Sequence, residues 1–474
     1  MLKGVVSIFL AESLIIPTGF ITAVFLTRKL GPALYGLFAL VTRLILWVEW
    51  LGSSLFTKAT IKYVGEADDW HPPATTALQL TSVISLILVI LLWISTPALS
   101  RLFGASSLIT YLRIYAIDIP IYGFARVLSD ILIGRGFFNE RARVSAGRRI
   151  ARLFLIIIFV ELGFSVNGAI YGMIGASVAE TVICLFYARP SFYAKISFPF
   201  RHFWTFGTPL FLSALCLTII RMDILFLKAL GGTDVETGYY GASQNLTILF
   251  SLVSTSMTPP LLSTLSNMLM NRKKDEAIHI SLTAVRTSIM VLPVAALIAG
   301  TSHEIVGLIF GSAYFSAGPI LSCLVFAALG LHILNISITL ISSMERQSWA
   351  LRITFPLVPI ATIGYLLVIP RMGGLGAAMV SATVAWLGAS VSTIAALSLW
   401  GIKFPLKTLV TSLFSALVFY FAASFWPVSG LVLLIKVAVL TALVVLCFYF
   451  LGEITRRETA IVRNMIMDRL RRRE

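Results

Sequence analysis

Residues 141–190 read RARVSAGRRIARLFLIIIFVELGFSVNGAIYGMIGASVAETVICLFYARP, and their layout decides the fold. Two apolar runs, 149–164 and 168–188, are separated by a short polar turn and bounded by arginine at both outer ends. About 20 mostly apolar residues in a helix cross the roughly 30 Å hydrocarbon core of a bilayer. Two such runs with basic residues at both ends describe a hairpin that enters the membrane, turns and leaves on the side it came from. Basic residues favour the cytoplasmic side, so both ends are expected there.

The same grammar extends in both directions. The spans read as 4–27, 35–57, 76–97, 108–133, 149–164, 168–188, 204–229, 239–268, 277–300, 315–343, 349–369, 373–400, 405–426 and 429–451. The chain is 58% apolar and 12% charged, against roughly 45–50% and about 25% for soluble domains. The expected fold is an all-α polytopic membrane protein of about 14 transmembrane helices. Little chain lies outside them, so the function is exercised within or across the membrane. The first span lacks a small-residue cleavage site and reads as a retained helix.

The net charge of +16 raises the question of nucleic acid, and the placement of the charge answers it. With the N-terminus inside, 26 of the 37 Lys and Arg fall on the cytoplasmic side, including Arg148, Arg149, Arg152 and seven arginines of the C-terminal tail. Arg28, Lys29, Arg101 and Arg371 fall on the other side. This asymmetry puts the chain in the cell membrane, multi-pass, with both termini cytoplasmic. The excess is a topology signal with attraction for anionic lipid heads, not a nucleic-acid footprint.

Two stretches echo one another about 200 residues apart. Leu30-Gly31 precedes and Tyr35-Gly36 opens the second span; Leu230-Gly231 precedes and Tyr240-Gly241 opens the eighth. Gly172-Met173-Ile174-Gly175-Ala176 is echoed by Gly373-Gly374-Leu375-Gly376-Ala377. Six spans is an even number, so two copies would be parallel, with a substrate site between them. The expected organisation is a six-helix lobe over 1–200, a second over 201–403, two additional transmembrane helices over 404–452 and a basic amphipathic cytoplasmic tail over 453–474. In the tail Val462, Ile466 and Leu470 recur at helical spacing, as an interfacial helix requires.

The chemistry is carried by charges within spans. Each costs about 2.5–3.5 kcal/mol at a helix centre on the insertion scale. The fourth span alone holds Arg113, Asp118, Arg126 and Asp130, so it must pair them or line water. At about 100° per residue, Asp118, Tyr122, Arg126 and Asp130 share one face, although Arg126 and Asp130, four apart, can also simply neutralise one another. Arg43, Arg126, Arg221, Lys228 and Arg286 are the candidates for an anionic headgroup, because guanidinium stays charged and matches phosphate with a planar fork of donors. Tyr122, Gln244 and Asn245 are candidates for sugar contacts. Asp118, Asp130, Glu180 and Asp223 are candidates for H+ or Na+ coupling, since a buried carboxylate can take up either. No Walker motif, catalytic serine elbow or metal-ligand cluster is present, so no cofactor and no enzymatic activity are expected. Asp68-Asp69 lacks a surrounding domain and reads as a solvated loop.

The turn Thr27-Arg28-Lys29-Leu30-Gly31-Pro32 with Tyr35-Gly36-Leu37, and its echo from Leu230-Gly231 to Gly238-Tyr239-Tyr240, resembles the polysaccharide biosynthesis (oligosaccharide flippase) family of the multidrug/oligosaccharidyl-lipid/polysaccharide exporter superfamily. The resemblance covers roughly residues 1–400. It implies two six-helix lobes around a central cavity, and flipping of a polyprenyl-(pyro)phosphate-linked oligosaccharide from the cytoplasmic to the outer leaflet. The partners it implies are the lipid-linked oligosaccharide, membrane lipids and glycosyltransferases of the same pathway. The lipid II flippases of this superfamily are similar, but their arginine pattern in the first span is missing here, where Glu12 is the deep charge. The alternatives are a multidrug or small-molecule exporter of the same superfamily, which would favour an acidic cavity, and a membrane-embedded glycan polymerase, which would need a larger outer loop.

Overall fold

The computed structural model describes residues 11, 13–189, 198–344, 346–428, 430 and 432–453. Glu12 and the amphipathic tail expected beyond Glu453 lie outside the described residues. Among the described residues every regular element is helical, and the chain is a multi-pass membrane protein. Eight helical runs within those residues are long and apolar enough to cross a membrane.

Three of those runs, of 52, 51 and 53 residues, would measure roughly 75–80 Å if straight, more than twice a hydrocarbon core of about 30 Å. Each is broken where two expected spans meet. Helix α1 (Ile15–Glu66) breaks at Gly31, whose φ of 70° and ψ of 174° suit glycine, and Pro32 follows. The break between α5 (Phe138–Phe159) and α6 (Ser165–Ala188) falls at Gly163 and Ser165. The run Gln347–Trp400 breaks at Gly373. The remaining expected spans are the fourth, seventh and eighth, and each is divided into shorter helices. In chain order between α1 and α5 come α2 (His71–Leu102), α3 (Leu108–Tyr115) and α4 (Asp118–Gly134). After α6 come α7 (Phe200–Ile220), α8 (Asp223–Ala229), α9 (Asp234–Leu246) and α10 (Ile248–Met270).

The chain divides into two compact units. The first comprises residues up to 249 together with 351–384. Small residues bring its helices together, as bundles in lipid require when no hydrophobic drive separates helix from solvent. A side chain at Gly172 would meet the backbone of Ile156, and one at Gly168 the carbonyl of Phe159, so α5 and α6 pack antiparallel, backbone to backbone. The two echoing turns also meet. A Cβ on Gly36 would collide with the Asp234 carbonyl, and one on Gly238 with the Pro32 carbonyl. Lys29 and Glu161 pair at 2.8 Å, tying the Gly31 break to the Gly163 break.

The second unit holds α11 (Lys274–Met290), α12 (Leu292–Gly300), α13 (Ser302–Phe310), α14 (Gly318–Ser342), the end of α15 (Gln347–Trp400) and the C-terminal pair α16 (Leu406–Phe425) and α17 (Val432–Phe450). Leu297 of α12 packs with Phe419, Ala423, Leu440, Val444 and Phe448 of that pair. Lys436, fully buried, pairs with Glu304 at 2.9 Å and donates to the Ala423 carbonyl at 2.8 Å. The opposite faces, with Leu413, Phe414, Leu417, Leu434, Ile435 and Leu446, are exposed, as a lipid-facing surface is.

Candidate functional site

A cavity of about 170 Å³ opens inside the first unit, between α1, α5, α8 and α9. Its polar lining is Thr22, Tyr35, Thr42, Arg43, Arg152, Gln244 and Asn245. Residues separated by two hundred positions meet here because Gly36, Gly238 and Gly241 let α1 and α9 approach. Arg43 donates to the Gln244 side-chain oxygen. Asn245 donates to the Tyr35 hydroxyl at 2.8 Å and to the Gly241 carbonyl at 2.9 Å. Two guanidinium groups from different helices therefore face a small polar space with amide and hydroxyl neighbours. Such a site can take an anion.

Behind Gln244 stands Asp223, 5% exposed. Its carboxylate accepts from the Ile224 backbone N–H at 2.9 Å, the Gln244 amide at 3.2 Å, the Tyr240 hydroxyl at 2.7 Å and the Ser381 hydroxyl at 3.2 Å. The Tyr365 hydroxyl stands 2.9 Å from the Ser381 oxygen. Arg221 is exposed and lies within electrostatic reach of both Arg43 and Asp223. Four donors are thus aimed at one buried carboxylate.

A second polar cluster lies among α1, α4, α5 and α6. Asp118 and Glu49 are 1% and 3% exposed, and Glu49 interacts electrostatically with Asp118, Arg148 and Glu180. Arg148 pairs with Glu180 at 2.9 Å and covers the Tyr122 ring at 4.5 Å. Arg126 stands 3.5 Å from Asp130 within α4. The Asp118–Tyr122–Arg126–Asp130 face thus turns toward neighbouring helices and finds compensating charge there.

The structure brings Arg43, Gln244 and Asn245 into the cavity, with Asp223 one hydrogen bond behind and Arg221 nearby. It places the others elsewhere. Lys228 pairs with Asp234 at 2.7 Å and donates to the Gly232 carbonyl, closing its own turn. Arg286, in the second unit, is held by Glu453 at 3.2 Å and by Thr408. Tyr122, Asp118, Asp130, Glu180 and Arg126 belong to the α4 cluster. Arg152, Ser381 and Tyr365 were missed. Arg152 was counted with the loop charges, yet α5 begins at Phe138 and carries it well inside a helix. One signal was available: 149–164 is too short to cross a bilayer alone, so its helix had to recruit the arginines before it. Asp69 sits in a solvated turn, where the His71 backbone N–H and ring hold its carboxyl below the ordinary range.

Comparison with known proteins bears on the family and the fold. The family model described as polysaccharide biosynthesis protein matches residues 25–319. No curated protein matches the chain. Among solved structures, a lipid II flippase, MurJ, in an inward closed conformation is similar at 14% identity and a TM-score of 0.76, covering 97% of this chain and 100% of that one. An inward-facing multidrug resistance MATE family transporter of the MOP superfamily is similar at 16% identity and a TM-score of 0.70, covering 82% and 94%. A MOP superfamily transporter from Pyrococcus furiosus, described as having a binding pocket of reverse polarity, matches at 17% identity and 0.51, covering 84% and 94%.

Proposed function

We propose, on the premise that this chain belongs to the polysaccharide biosynthesis protein family, that it is a flippase for a polyprenyl-(pyro)phosphate-linked oligosaccharide. It carries this cargo from the cytoplasmic to the outer leaflet by alternating access, for assembly of a cell-surface glycan. It is a transporter and not an enzyme. Glycosyltransferases of the same pathway would supply the cargo on the cytoplasmic side, where the basic loops put both termini. Two parallel six-helix lobes, related through the echoing Gly31 and Gly231 turns, would rock around the site.

The observation that carries this reading is the pairing of Arg43 and Arg152 in one polar cavity. Two guanidinium groups suit a phosphate or diphosphate, and Asn245 and Tyr35 suit the first sugar hydroxyls. The isoprenoid tail would remain in lipid. A cationic drug would be repelled by the same pair, which weighs against the small-molecule exporter. Asp223 is the group best placed to couple transport to H+ or Na+.

Binding tests this directly. Purified protein in detergent, titrated with a polyprenyl diphosphate disaccharide and read by native mass spectrometry, should retain the lipid. Arg43→Ala and Arg152→Ala should each weaken retention about tenfold or more, since a charge-assisted contact contributes about 1.5–3 kcal/mol. Equal retention by wild type and both variants contradicts the assignment of the cavity. Tight binding of lipophilic cations instead would favour the exporter.

A further inference from the structure

The amide of Gln244 faces two charges at once. Its oxygen accepts from Arg43, and its nitrogen donates to Asp223. Each end of the amide is matched to the group it meets, oxygen to guanidinium and nitrogen to carboxylate, so an ionised Asp223 favours this orientation. A neutral group at 223 that carries a hydrogen reverses the preference. It would donate to the amide oxygen, and the amide would turn its N–H₂ away. The turn strips Arg43 of its acceptor and presents a further donor to the cavity. Both changes favour an anion there.

From this geometry we infer that Gln244 is a positioning residue that transmits the charge state of Asp223 to the anion site at Arg43. The inference rests on the reading of that cavity as a headgroup site. Among the described residues, the polar groups facing Asp223 come from three helices. Tyr240 and Gln244 come from α9, Ser381 and Tyr365 from α15, the Ile224 amide from α8, and Arg221 lies just before α8. Gln244 is the one side chain with a hydrogen bond to both Asp223 and Arg43 among those described. Proton loading at Asp223 and anion loading at Arg43 thereby favour one another, and linkage makes the effect reciprocal.

A double-mutant cycle separates this link from simple charge repulsion through space. The probe is inorganic pyrophosphate, titrated calorimetrically into the full-length protein in detergent, with wild type, Asp223→Asn, Gln244→Met and the double variant compared. Asn at 223 imitates the neutral, donating state. In the wild-type background Asp223→Asn should tighten pyrophosphate binding about fivefold or more, the lower end of ordinary coupling. In the Gln244→Met background the same change should alter affinity less than about twofold. Equal fold-changes in the two backgrounds overturn the inference, because direct electrostatics then suffices. Thermal melting of each variant identifies any loss of fold, and Gln244→Glu offers a second route. Its carboxylate has no donor end to turn, so beside Asn at 223 it should hold Arg43 and weaken pyrophosphate. Absence of pyrophosphate binding in well-folded wild type overturns the headgroup reading and the coupling with it. Binding without non-additivity overturns the coupling alone.

Discussion

Arg43 and Arg152 reach one cavity from α1 and α5, and among the described residues its other polar lining is amides and hydroxyls, not carboxylates. That composition is what separates an anion site from a structural ion pair. By contrast Arg286 is bonded to Glu453 and Thr408, and Lys228 to Asp234. These four cations looked alike in the sequence because each is a basic residue in or beside an apolar run. What distinguishes them is the partner, and for Arg286 the partner is remote. Glu453 lies 167 residues beyond Arg286, a distance no periodicity reports. Arg43→Lys should therefore bind a polyprenyl diphosphate more weakly than wild type but better than Arg43→Ala, since lysine keeps charge and loses the fork. Arg286→Ala should leave lipid affinity within about twofold while lowering the melting temperature in detergent, because it leaves a buried carboxylate with a missing partner. Lipid affinities measured on the three variants check both statements.

At the scale of elements, the breaks in the long helices were legible and the close approaches only in part. Gly31-Pro32 announces a turn by its residue types, and the structure turns there. The runs around Gly172 and Gly373 are small-residue stretches of the kind that lets membrane helices approach closely. Gly172 indeed packs on Ile156, whereas Gly373 sits at a positive φ beside the Glu236 side chain and serves the turn instead. The contact between Gly36 and the Asp234 carbonyl was not legible, because nothing in either stretch names the other. Gly36→Val should accordingly destabilise the first unit by more than the about 1–3 kcal/mol typical of an overpacked core, seen as loss of the monodisperse peak in size exclusion. In the second unit, Glu304→Gln leaves buried Lys436 without its anion and should cost about 3–5 kcal/mol. Adding Lys436→Met should return much of that loss. Thermal unfolding of the single and double variants reads the difference.

For the whole molecule, the alternation of basic loops predicts an orientation that the fold alone does not give. Labelling decides it. After replacement of Cys184, Cys216, Cys323 and Cys447, single cysteines at 29 or 371 should react with a membrane-impermeant maleimide in intact cells. A cysteine at 272 should react only after permeabilisation. The opposite pattern would invert the topology and place the cavity's loading side outside.

Transport by a flippase is a change of leaflet, and leaflet is what should be measured. Proteoliposomes loaded with a fluorescent polyprenyl-diphosphate oligosaccharide, scored by a quencher confined to the outer bulk, report the fraction that crosses. With wild type the quenchable fraction should climb from about half toward completion, and Arg43→Ala with Arg152→Ala should slow that climb at least tenfold, in line with two lost charge-assisted contacts. A quenchable fraction that stays at its protein-free value with wild type, or that climbs equally fast in the double variant, would contradict a flippase working through this cationic cavity.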